Sequence, residues 1–204
     1  MNRIEGYTHA GCGIPFILKD GHKKIFISAP HNVDHFREGA IKTAEPETGL
    51  LALFLHNKLG CPCIINTDIG QGDPNYDEVS DYRSVLMKSV KKNKISLLLD
   101  VHQMAPERPD DVCIGTGHGQ NIQNRFELVD ILETSFRKQG LDSLSLDDPF
   151  PATFEHTVSR TVSRECEIPA IQLEFNTRIF FSHDTKQKVY DSMSDAIERL
   201  EGVI

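Results

Sequence analysis

The stretch LLLDVHQM, residues 97–104, decides how this chain is read: three leucines run straight into Asp100, Val101 and His102. With Ile95 and Ser96 before it, the segment ISLLLDV is a continuous apolar strand, the kind buried on both faces in the middle of a parallel sheet. Such a strand ends at the rim of its sheet. A carboxylate and an imidazole projected there have little to offer a core and much to offer a site.

On either side, strand and helix patterns alternate. Residues 14–30, IPFILKDGHKKIFISAP, read as two strands around Asp20-Gly21, a strong hairpin signal, with the second strand ending at Pro30 just before His31. A loop over 31–45 leads to a helix from Pro46 to Leu59, closed by Gly60 and carrying Leu50, Leu51, Phe54 and Leu55 on its apolar face. A strand at 63–67, a helix over 76–93, a strand at 111–117 and a helix around Arg125–Gln139 follow. A helix over 157–166, the strand AIQLEFN at 170–176 and a closing helix over 184–200 complete the order. This alternation predicts an α/β fold, a three-layer α/β/α sandwich with a mixed, mostly parallel sheet and a site at the carboxyl ends of the strands. Residues 1–204 read as one domain, a length ample for a single core.

Composition narrows the function classes. A net charge of −8 with scattered Lys and Arg, apart from KKNK at 91–94, leaves no electrostatic footprint for nucleic acid, so no nucleic-acid partner is expected. No apolar run approaches a membrane span and the N-terminus lacks an apolar signal segment, so the expectation is a cytoplasmic chain with no membrane partner. Five cysteines, odd in number and scattered, read as reduced thiols; the CPC at 61–63 has no second pair with which to build a structural zinc site.

If the strands before His31 and through His102 are parallel neighbours, the two imidazoles share one rim, and two neutral imidazoles there are typical zinc ligands. A third ligand is needed, and the loop between offers Asp34, Glu38, Glu45 and Glu47. Pro46 suits the first helical position and holds the residue before it extended, which puts Glu45 at the N-cap. Glutamate caps poorly, so Glu45 there suggests another task, whereas Glu47 in the first turn is explained by the helix dipole. In AIQLEFN, Ile171, Leu173 and Phe175 face one side and Gln172, Glu174 and Asn176 the other. That pattern fits an edge strand with a wet face, or a strand that aims Glu174 into a cleft as a general base. Asp100, two residues from His102 on the same face, is placed either to orient that imidazole or to make a structural hydrogen bond. His35 is an alternative to His31.

SAPHN (28–32), REGAIKTAEPETG (37–49), LLLDVHQM (97–104) and IPAIQLEFNTR (168–178), in that order, resemble the N-formylglutamate amidohydrolases and their poly-γ-glutamate hydrolase relatives, over residues 24–180. The resemblance implies a zinc carboxypeptidase-like phosphorylase/hydrolase fold and one Zn2+ per chain held by His31, Glu45 and His102, with Glu174 as base. The H-x-x-E spacing of metallocarboxypeptidases would instead put Asp34 at the acidic position. It further implies amide cleavage in an N-acyl amino acid or small γ-glutamyl or peptide-like acid, a small-molecule carboxylate partner. A bidentate arginine is the natural partner for that carboxylate, with Arg37, Arg164 and Arg178 as candidates and Arg108 a fourth.

Two other readings compete. D-x-H after an apolar strand also opens dinuclear metallophosphoesterases, although GDPN lies upstream at 72–75 and no Gly-Asn-His follows. A non-catalytic binding module on the same fold is the other. GTGHGQN at 115–121 lacks the Lys-Ser/Thr ending of a phosphate loop, and no G-x-S-x-G elbow marks a serine hydrolase.

Overall fold

In the computed structural model, which describes residues 15–204, helices and strands alternate much as the sequence pattern predicts. The expectations for the N-terminus and for Cys12 lie outside the described residues. The strands are β1 (Phe16–Lys19), β2 (Ile25–Ala29), β3 (His35–Arg37), β4 (Ala40–Lys42), β5 (Cys63–Asn66), β6 (Leu97–Met104), β7 (Val112–Gly115), β8 (Leu144–Leu146) and β9 (Ala170–Asn176). The helices are α1 (Pro46–Leu59), α2 (Asp81–Asn93), α3 (Glu127–Lys138), α4 (Val158–Cys166) and α5 (His183–Leu200).

Seven strands form one mixed sheet in the order β1-β5-β2-β6-β9-β7-β8. The central β5, β2, β6 and β9 run parallel, while β1 and β7 pair antiparallel with β5 and β9. Alternation along the strands sorts their side chains into two layers. Ile25, Ile27, Leu97, Leu99, Val101, Ile171, Leu173 and Phe175 pack under α1, α3 and α5. Phe26, Ile64, Leu98 and Ala170 pack under α2 and α4. The result is the three-layer α/β/α sandwich.

The second layer changes character along the strands. Past Phe26, Leu98 and Ala170, the same face presents Ser28, Asp100, His102, Gln172 and Glu174, all buried. A polar row at the carboxyl ends of central strands is expensive unless its members bond to one another or to a ligand.

Several expectations are corrected. Asp20-Gly21 joins no hairpin, because β5 lies between β1 and β2. A Cβ on Gly21 would stand 2.2 Å from the Gly60 carbonyl oxygen, so glycine here serves a close approach to the end of α1, where the His22 amide donates to that oxygen at 2.9 Å. The loop over 31–45 contains a hairpin of its own, β3–β4, turned by Glu38 (φ 52°) and Gly39 (φ 76°). The second helix starts at Asp81 rather than near Tyr76, its N-cap Ser80 accepting from the Arg83 amide. β6 runs two residues beyond His102 because its pairing with β9 extends to Met104 and Asn176. Strand β9 is no edge strand, since β6 and β7 flank it and all seven residues are buried. β8 is too short for the pattern to reveal. No helix among the described residues is long and apolar enough to cross a membrane.

Candidate metal centre

His31 follows β2, and His102 lies on β6, its parallel neighbour, so the sheet brings the two imidazoles to one rim. Glu45 arrives from the start of α1. It occupies the N-cap without a side-chain capping bond, and Thr48 instead bonds its carbonyl oxygen. Its carboxylate is turned inward: Oε1 lies 3.2 Å from His31 Nδ1, while Oε2 lies 3.4 Å from His102 Nδ1 and accepts from the Gln103 amide at 2.9 Å. Ligand atoms of His31, Glu45 and His102 all fall within 4.8 Å of one another.

The other acids of that loop are committed elsewhere. Asp34 accepts from the Ala44 amide, Glu38 from the Tyr76 hydroxyl, and Glu47 pairs with Lys186 of α5.

Each histidine is held from behind. His31 Nε2 lies 2.9 Å from Asp73 Oδ1, and His102 Nε2 lies 3.1 Å from Asp100 Oδ2. A carboxylate on Nε2 assigns the proton to that nitrogen and leaves Nδ1 with a free lone pair. Two such lone pairs 3.2 Å apart, beside a carboxylate, repel unless a cation stands among them. This donor set fits a zinc ion, with His31, Glu45 and His102 as the residues that would hold it.

The electrostatics agree. Burial disfavours charge on both imidazoles, yet Glu45 and Asp73 hold His31 above its usual value, and Asp100 and Glu45 hold His102 well above. Burial likewise opposes the Glu45 carboxylate, but the two histidines bring it down to about 2. In the metal-free protein these carboxylates favour protons on both imidazoles.

Glu174 sits opposite His102 in the β6–β9 register and faces the same cleft. Burial pushes its carboxyl up to about 7, His102 working against the shift and Glu45 adding to it. Gln172, two residues back, donates from Nε2 to Glu174 Oε1 at 2.9 Å. The cleft, about 740 Å³, is also lined by Arg37, Lys42, Asn75, Tyr76 and Phe154.

The three arginines separate. Arg37 lines the cleft: its Nε donates to Asp73 Oδ2 at 2.5 Å, and its terminal nitrogens make no hydrogen bond among the described residues. Arg164 lies outside, on α4, between Glu155 and Glu165. Arg178 ties down the loop after β6 through Arg108, Pro109 and Asp111. The fold thus brings Arg37 alone of the three to the cleft, and Arg108 does not line it either.

The sequence reading missed Asp73, Asn75 and Gln172. Asp73 is fully buried, and its carboxylate meets His31, Arg37, the Asn75 amide and, at 3.5 Å, His35. Asn75 places Nδ2 3.0 Å from His102 Nε2 and accepts from the Val158 amide. The signal was GDPN, an Asp-Pro-Asn turn after β5, another strand that ends at this rim. His35 stacks on His31, centroids 4.0 Å apart, and burial beside His31 lowers its proton affinity. His31, His35 and Asp73 also lie close enough to hold an ion, but the Arg37 guanidinium already neutralises that carboxylate.

No family model matches the chain, and no curated protein matches it either. Solved structures do. The N-formylglutamate amidohydrolase of Ralstonia eutropha superposes with a TM-score of 0.61 at 13% identity, covering 92% of this chain and 97% of that one. A bacteriophage poly-γ-glutamate hydrolase gives 0.62 at 12%, covering 97% and 94%. A gene product of Agrobacterium tumefaciens gives 0.68 at 9%, covering 94% and 96%. The chain therefore shares the fold of these three structures over nearly its whole length.

Proposed function

We propose that this protein is a zinc-dependent amidohydrolase that cleaves the amide of an N-acyl amino acid or a similar small carboxylate. One observation carries the reading: His31 and His102 present Nδ1, Glu45 presents its carboxylate, and both outer imidazole nitrogens rest on buried carboxylates. That is the outer-shell arrangement of zinc sites. The likeness to two amide hydrolases supports the choice of bond.

Zinc held by these residues would supply Lewis acidity for the carbonyl and lower the pKa of water toward about 7. Glu174, whose proton affinity sits near neutrality, takes the proton of the attacking water and returns it to the leaving nitrogen. Gln172 holds that carboxylate in place by its hydrogen bond. Asp73 and Asp100 fix the ring orientations of the ligands. The terminal nitrogens of Arg37 bind the substrate carboxylate, which anchors the amide over the centre. No covalent enzyme intermediate is required.

The test is metal analysis with turnover. Protein purified and loaded with Zn2+ is expected to hold about one ion per chain and to hydrolyse members of a panel of N-acyl amino acids. The Glu174→Gln variant is expected to keep the metal and lose turnover by about a hundred- to ten-thousand-fold. A wild type that binds zinc and cleaves nothing in the panel points to the binding module instead.

A further inference from the structure

We infer that the carboxylate-bearing half of the substrate carries an apolar, ring-sized side chain, received by the wall formed by Tyr76 and Phe154. This rests on the amidohydrolase reading and narrows it to a substrate class different from the glutamyl compounds named for the solved neighbours.

Phe154 is 51% exposed and lines the cleft. Its ring stacks on Tyr76, centroids 5.3 Å apart and planes 10° from parallel. Tyr76 in turn carries the Arg37 guanidinium 5.3 Å from its ring centroid. From the metal ligand His31 through Asp73, Arg37 and Tyr76 to Phe154 there is an unbroken line of contacts. The carboxylate anchor and the aromatic wall therefore adjoin, Tyr76 touching both.

The wall is held rigidly in place. The Ala152 carbonyl accepts from Asn121 Nδ2 at 2.9 Å, and Thr157 Oγ1 bonds the Phe154 carbonyl at 3.1 Å. Ala152 itself is in the left-handed region (φ 57°), a conformation that costs energy and that these bonds stabilise. An aromatic ring fixed by a hydrogen-bonded backbone and left uncovered in a cleft is a ligand surface.

Size agrees. A cleft of about 740 Å³ is of the class that encloses ligands well beyond a formyl-amino acid with a short side chain.

The experiment is titration calorimetry on zinc-loaded Glu174→Gln protein with N-formyl-L-phenylalanine and N-formyl-L-glutamate. The expected result is at least ten-fold tighter binding of the phenylalanine compound, and a preference that shrinks to within about two-fold in Phe154→Ala and returns in Phe154→Tyr. Equal or tighter binding of the glutamate compound, through Lys42 for instance, overturns the inference. So does a Phe154→Ala effect that is the same for both, and so does binding of neither. Metal content and wild-type turnover of the acyl panel judge the amidohydrolase reading separately.

Discussion

His31 and His102 face each other through Nδ1 atoms 3.2 Å apart, each with its far nitrogen on a buried aspartate. The geometry is stable only with positive charge between the rings, supplied by protons or by a metal ion that His31, Glu45 and His102 could hold. His102→Ala is expected to drop bound zinc from about one per chain to near none. Asp100→Asn and Asp73→Asn leave the ligands in place and weaken binding by about ten- to a hundred-fold. Elemental analysis and competitive chelator titration read both effects, and full metal in His102→Ala would remove the centre from the argument.

The pH dependence of stability follows from the same charges. His31 and His102, buried but outweighed by their carboxylates, are raised in the fold above the ordinary 6.5. Their stabilising contribution is complete below 6.5 and is lost as pH rises through the folded values. Glu174, raised from 4.5 to about 7 by burial, contributes in the same direction and loses its part between those values. Glu45, lowered to about 2, contributes above 4.5 and is lost only on strong acidification. The metal-free protein is therefore expected to melt at a lower temperature at about pH 8.5 than at about pH 5.5. Saturating zinc, which needs deprotonated imidazoles, should add little at the acidic end and most at the alkaline end. Thermal melts with and without zinc decide this, and a metal-free protein that gains stability on the alkaline side would contradict it.

Much of this centre was legible along the chain, and the reasons are physical. Period-two alternation fixed Asp100 and His102 to one face of β6 and Glu174 to one face of β9, whatever the strand order. Glu45 was legible because Pro46 pins the start of α1 and glutamate is out of place as a cap. Asp73 was not legible, because its contact with His31 spans forty-two positions and depends on how the loop after β5 crosses the rim. Asp20-Gly21 misled for a related reason. Its glycine answers to the neighbouring Gly60 carbonyl, a tertiary demand that looks in sequence like a hairpin turn.

The arginines give a comparison within one protein. Arg37→Ala removes the guanidinium that lines the cleft and is expected to raise KM by about ten- to a hundred-fold, the worth of a charge-assisted pair. Arg164→Ala, which breaks exposed pairs with Glu155 and Glu165, should change stability by under about 1 kcal/mol and leave KM alone. Arg178→Ala is expected to loosen the loop at 108–111 and lower the melting temperature with KM less affected than in Arg37→Ala. Steady-state kinetics on the three variants separate an anchor from two structural ties, and equal KM effects would assign the carboxylate to another group.

Gly115 lets the cleft wall be tested without touching a metal ligand or the aromatic side chains. It pairs with Gln172 on β9, and a Cβ there would stand 2.5 Å from the Phe150 carbonyl oxygen and 3.2 Å from Ala152 Cβ. The contact is backbone, so it cannot be relieved by turning a flexible side chain. Gly115→Ala must push the 150–152 segment off the sheet, at about 1–3 kcal/mol of stability. His31, Glu45 and His102 come from β2, the start of α1 and β6, so zinc content is expected to stay at the wild-type level while turnover falls through displacement of the wall. Denaturant unfolding, metal analysis and kinetics on this one variant keep the two halves of the site apart. A loss of zinc along with the wall would mean that centre and cleft are mechanically one unit.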